Sequence, residues 1–78
     1  MNRRELRLRL AQRPRNVRLE EIDRLPRLSG WELNHVRGSH CVYRSAGGVH
    51  LSIPRHGVLV KVNYVRLVLS YTEEASEE

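Results

Sequence analysis

The chain has 78 residues, with 14 Lys plus Arg against 9 Asp plus Glu and a net charge of +5, which bounds it to one small basic domain. Leu, Ile and Val supply 22 residues, enough for a modest core, while apolar runs such as Val58-Leu59-Val60 fall far short of the ~20 residues of a membrane span and the Arg-rich head does not read as a signal peptide; a soluble cytoplasmic protein is the expectation. A single Cys41 and the lack of a carboxylate run argue against disulfide scaffolds, cysteine zinc fingers and carboxylate-metal nucleases, and no cofactor or metal is expected.

The head is the most basic part. Residues 1–18 hold seven Arg and one Glu, residues 73–78 hold four Glu and no base, and the stretch between them stays at +3. Of the 14 basic residues, 13 are Arg, the planar fork that suits phosphate, although codon composition explains such a bias equally well. From Met1 to Pro14, Leu6, Leu8 and Leu10 alternate with Arg, yet Leu6 and Leu10 are also one helical turn apart. Periodicity leaves both readings open; Arg and Leu propensity and the stop at Pro14 favour a helix over about Arg3 to Arg13.

A second helix is better marked. Asn16 is a candidate cap, Glu20 and Glu21 suit the positive end of the dipole, Leu19, Ile22, Leu25 and Leu28 form an apolar side, and Gly30 is a left-handed terminator. Pro26 conflicts with a continuous helix and predicts a kink or an early end near Leu25. Between Trp31 and Ile53 the pattern becomes alternating stretches broken by Gly38-Ser39 and Ala46-Gly47-Gly48, which predicts three strands at about 31–37, 40–45 and 49–53 joined by hairpins. Trp31 and Leu33 face inward, as do Val49, Leu51 and Ile53, and Pro54 ends the meander. Strand alternation puts His40, Val42 and Arg44 on one face and Cys41 and Tyr43 on the other. The Val-rich segment from Val58 to Tyr71 has helical spacing at Val62, Val65 and Leu69, giving a helix over about Val62 to Thr72 before the acidic tail.

Histidine is the natural acid–base group near neutrality, and the chain has His35, His40, His50 and His56. His40 follows a tight turn at the start of a strand. Spacing alone fits a plain strand-end residue more often than a catalytic one, and the four His have no metal-ligand spacing. His56 reads either as an exposed turn residue or, with Arg55 and Lys61, as part of a phosphate site. Cys41 reads as a buried thiol, Trp31 and Tyr43 as core more often than as base-stacking platforms, and Gly47-Gly48 as a hairpin turn.

Taken together, Arg15-Asn16-Val17-Arg18-Leu19-Glu20-Glu21, Gly30-Trp31-Glu32-Leu33, Gly38-Ser39-His40 with Tyr43, Pro54-Arg55-His56 and Lys61 with Tyr64-Val65-Arg66 resemble the HicA toxins over about residues 15–70. The resemblance implies an α+β fold like that of double-stranded-RNA-binding domains, α-β-β-β-α, with a three-stranded antiparallel sheet packed on helices. Here it would occupy 15–72, behind a basic N-terminal extension over 1–14 with its own extra helix and before an acidic tail over 73–78. It further implies a metal-independent endoribonuclease acting on messenger RNA, with His40 as its catalytic His and a HicB-like antitoxin protein as partner. The chain departs from the pattern at Pro26, where an aliphatic residue is usual, at Val62, which replaces a common Pro, and at Cys41, where a His is frequent.

The mechanism expected from the residues is that His40 moves the proton of a 2′-OH attack while Arg37, Arg44 and Arg55 hold the phosphate, assisted by Ser39, His56 and Lys61, with Gly38 shaping the turn. Added salt should weaken binding. Two other classes fit the same residues: a non-catalytic RNA-binding module on this fold, and an inactive toxin remnant that acts by protein docking.

Overall fold

A computed structural model of the chain describes residues 1–55 and 57–73; His56 and most of the expected acidic tail, residues 74–78, lie outside the described residues. The head is helical: α1 spans Arg3–Gln12. Asn2 opens it with a capping box, its side chain accepting from the Glu5 N–H at 2.8 Å while the Glu5 carboxylate accepts from the Asn2 N–H at 3.1 Å. Burial settles the ambiguity of the leucines, since Leu6 and Leu10 are in the core and Leu8 is 54% exposed.

After α1 the chain makes a two-residue strand, β1 (Val17–Arg18), and enters α2 (Leu19–Leu28) directly. Asn16 is not the cap. It sits at φ 59°, a left-handed turn that sends Val17 into the core, and Arg18 takes the cap position with its N–H bonded to Glu21 at 3.2 Å. Nor does α2 end near Leu25. Pro26 is buried inside it, and because it lies in the last turn its missing N–H costs one bond only, while its own carbonyl accepts from Ser29 and Trp31 at 3.0 and 2.8 Å. The helix terminates through Gly30 at φ 87° as its composition demands. Its buried side is narrower than the leucines suggest, because Leu28 is 46% exposed.

Strands β2 (Glu32–Arg37), β3 (His40–Arg44) and β4 (His50–Pro54) form an antiparallel sheet in that order. Cys41, Tyr43, Leu51 and Ile53 face the helices and are buried, while His40 and Arg44 are exposed on the other face. Val49 is a correction: it lies in the β3–β4 turn before the strand begins and is 51% exposed. A bulge between Leu33 and His35 interrupts β2, so the simple alternation fails there and Val36 is 46% exposed. The Val58–Val60 run is divided from the last helix. Leu59–Val60 forms β5, which pairs antiparallel with β1 through Val17↔Val60 and Arg18↔Leu59, and α3 then runs Val62–Tyr71.

The helices pack on one face of the sheet around Leu10, Ile22, Leu25, Val65 and Val68. Across this core, α1 caps the far end of α3: Arg7 donates to the Leu69 carbonyl at 3.1 Å and to the Thr72 hydroxyl at 2.7 Å, and Arg3 donates to the Thr72 carbonyl. Guanidiniums there meet orphan carbonyls and the negative end of the dipole together. Among the described residues, no helix is long and apolar enough to cross a membrane.

Tyr43 links sheet to helix. Its buried ring carries a hydroxyl that donates to Asp23, whose other oxygen accepts from Arg27 at 2.9 Å. Burial first, and then the bond to Asp23 and its charge, push the Tyr43 phenol far above its ordinary 10.0. The unfolded chain therefore releases this proton near pH 10 and the folded chain does not, so the stabilisation is complete below that pH and declines above it. Tyr43→Phe should cost about 1 kcal/mol at pH 7 and should flatten the alkaline fall of stability. Urea denaturation of both proteins between pH 8 and pH 11 measures both effects.

Candidate functional site

The β2–β3 connection is a two-residue hairpin made by Gly38 and Ser39. Gly38 sits at φ +56° with nothing within 4 Å of where a Cβ would lie, so its role is conformational freedom and not close approach. The turn sets Arg37 opposite His40, and the next strand sets Pro54 on the other side of His40. The Ser39 carbonyl accepts from the Arg55 N–H, tying the exit of β4 to the same turn. Arg37, Ser39, His40 and Arg55 thus share one end of the sheet.

At the start of β3, His40 also borders the start of α3. It lines a pocket of about 220 Å³ with Pro54, Leu59, Val60, Lys61 and Tyr64, smaller than the roughly 300 Å³ at which drug-sized sites begin. Lys61 is the N-cap residue of α3, makes no side-chain cap bond, and is followed by a first turn without an acidic residue. A cation at the positive end of a dipole is the reverse of what helix stability favours; together with the orphan amides it makes this corner a place for an anion. Val62 contributes here. Where a Pro at the first helical position would have no N–H, Val62 adds one donor to that end. The His40 ring makes no hydrogen bond to any described residue and is exposed, so both its nitrogens are open to a molecule seated in the pocket.

Arg44 is not brought to this place. It pairs with Glu32 and His50 at the opposite end of β3, about 13 Å along the strand from His40, and lines a different hollow with Glu32, Asn34 and Ser45. His56 lies outside the described residues. Tyr64, which the sequence places in the pattern but gives no site role, lines the pocket; Lys61 and Tyr64 are three apart, the spacing that puts two side chains on one helical face. Cys41 is buried on the core side, with its side chain on the opposite face of the strand from His40. A His at that position would therefore not have stood beside His40. Among the described residues, no three His, Cys, Asp or Glu are grouped to hold a metal ion.

No protein-family model, curated protein or solved structure matches the chain.

With no atom near the missing Cβ, Gly38→Val should cost only what the left-handed backbone costs a side chain, about 1–2 kcal/mol. Urea denaturation checks this. A loss below about 0.5 kcal/mol, the ordinary range of surface substitutions, would mean that the turn accepts another conformation without penalty.

Proposed function

We propose that this chain is a metal-independent endoribonuclease of the HicA kind, a cytoplasmic toxin that cleaves messenger RNA and is silenced by a HicB-like antitoxin. The observation that carries the reading is that His40, Lys61 and Tyr64 line one pocket. They come from two separate parts of the HicA-like pattern, Gly38-Ser39-His40 and Lys61 with Tyr64-Val65-Arg66, and the fold makes them neighbours. The chain order α2-β2-β3-β4-β5-α3 supports an arrangement like that of double-stranded-RNA-binding domains, with α1 and the short β1–β5 ribbon added.

RNA brings its own nucleophile. The 2′-oxygen attacks the adjacent phosphorus, the bond from phosphorus to the 5′-oxygen breaks, and the products are a 2′,3′-cyclic phosphate and a 5′-hydroxyl. One proton leaves the 2′-OH and one is gained by the departing oxygen, and His40 handles one of these transfers. Charge that builds on the phosphoryl oxygens is met by Lys61 and the amide end of α3, with Arg37 and Arg55 at the rim. Tyr64 and the apolar wall of Leu59 and Val60 hold the nucleoside side of the substrate. Arg44 is too distant for the reacting phosphate.

His40→Ala should lower the cleavage rate of a purified RNA by about 10²–10⁴-fold with little change in melting temperature, because the residue is exposed. Cleavage by the parent chain should continue in excess EDTA and stop on a substrate carrying deoxyribose at the scissile position. Full activity in the folded His40→Ala protein, or cutting of the deoxy substrate, would remove His40 and the 2′-OH from the mechanism. Binding without cleavage by the parent would favour the non-catalytic module.

A further inference from the structure

The fold accounts for only part of the basic head. Arg3 and Arg7 cap α3, and Arg9 pairs with Glu21 at 3.2 Å. Arg13, Arg15 and Arg18 are exposed, and their guanidinium groups make no hydrogen bond or ion pair with any described residue. Arg13 and Arg15 are not scattered. With Arg9, Gln12, Asn16 and Val17 they line a hollow of about 540 Å³ between the end of α1 and the start of α2. The hollow also contains Glu21, but this carboxylate is already engaged by Arg9 on one oxygen and by the Arg18 N–H on the other, which leaves the charges of Arg13 and Arg15 unopposed.

This hollow adjoins the His40 pocket through the β1–β5 ribbon. Val17 lines the first and its pairing partner Val60 lines the second; Arg18 stands opposite Leu59, another wall of the His40 pocket. Partners across such a ribbon have Cα atoms about 5 Å apart. The ribbon therefore lies between Arg13 and Arg15 on one side and Lys61 on the other, with Arg18 on it opposite Leu59.

Resting on the reading of the His40 pocket as an RNA site, we infer that Arg13, Arg15 and Arg18 form a second subsite that holds the sugar-phosphate backbone of the same single-stranded RNA beyond the scissile position. Guanidinium groups suit this task, since each presents a planar fork to phosphate oxygens. The hollow lacks an exposed aromatic ring on which a base would stack, so the subsite grips backbone and extends the bound length without choosing sequence. An acidic protein segment is the other polyanion such a face would attract. Continuity with the His40 pocket favours RNA.

The test compares lengths. Affinity of the full chain is measured for a 2′-O-methyl octanucleotide and a 2′-O-methyl dinucleotide, neither of which has a free 2′-OH to react. Arg13→Gln with Arg15→Gln should weaken octanucleotide binding by about five- to twentyfold near physiological salt and reduce its log–log salt slope by about 1.4, the share of two phosphate contacts on a single strand. Dinucleotide binding should be unchanged, and Arg13→Lys with Arg15→Lys should restore most of the slope, with melting temperatures confirming that each variant is folded. Equal loss for both lengths, no loss for either, or loss of polyglutamate binding with octanucleotide binding intact would overturn the subsite. Cleavage that persists in the Gln variant together with unchanged octanucleotide affinity would leave the His40 mechanism standing alone. Length-dependent loss in a parent that does not cleave would support the subsite while removing the nuclease reading.

Discussion

Arg3 and Arg7 hold the last carbonyls of α3, and β1 pairs with the strand that leads into its first turn. Both ends of α3 are thus fixed by residues 3–18, and on α3 depends the pocket, because Lys61 and Tyr64 reach His40 only if the helix starts where β5 delivers it. A chain of this size has little core with which to fix a helix by burial alone. Leu6 and Leu10 add to that core, and the guanidiniums add direction, since their hydrogen bonds specify which end of α3 they meet. Without α1, α3 would still have Val65 and Val68 to bury, but a rotation or slide along its axis would meet less resistance.

The two helices that flank the sheet treat their N-terminal ends differently. α2 begins with Glu20 and Glu21 in its first turn, and Glu21 returns a bond to the Arg18 N–H, so the positive end of its dipole is neutralised within the fold. α3 begins with Lys61 and no acid. The chain gives up there a contribution of order 0.3–1 kcal/mol that one carboxylate would supply, in the one place where His40 is adjacent. Arg18 is likewise a basic N-cap residue on α2, but there Glu20 and Glu21 follow it; α3 has no such acid to offset Lys61.

Much of this was legible because its cause is local. Gly38-Ser39 requires a hairpin whatever surrounds it, and a hairpin requires that Cys41 and Tyr43 turn to the opposite face from His40. Gly30 ends α2 for the same kind of reason. The failures come where a distant partner decides. Asn16 has a good capping side chain, but Val17 gains more from burial against Val60 than the helix gains from that cap, and nothing near Asn16 in the sequence announces Val60. The β1–β5 ribbon is two residues long on each side, too short for any periodicity to register. Alternation puts Arg44 on the face of His40 but reports nothing of the distance along the strand, which separates them. Tyr64 joins Lys61 at the pocket because Lys61 is the N-cap of α3, a position that the sequence pattern does not mark.

The departures from the HicA-like pattern take on a different meaning once positions are known. Cys41 in place of a His leaves the pocket untouched, because that side chain belongs to the core face, where an imidazole would need a buried partner and a thiol needs none. Val62 in place of Pro gives up some preorganisation of the first helical turn and adds an amide to the positive end of α3. Pro26 sits where only one backbone bond is lost and its ring is buried against the core. None of the three bears on His40 itself, whose ring has no orienting partner among the described residues. In the proposed ribonuclease its alignment would come from the RNA itself, held between Lys61 and the apolar wall of the pocket, so that binding of the substrate and placement of the proton-transfer group would become a single event.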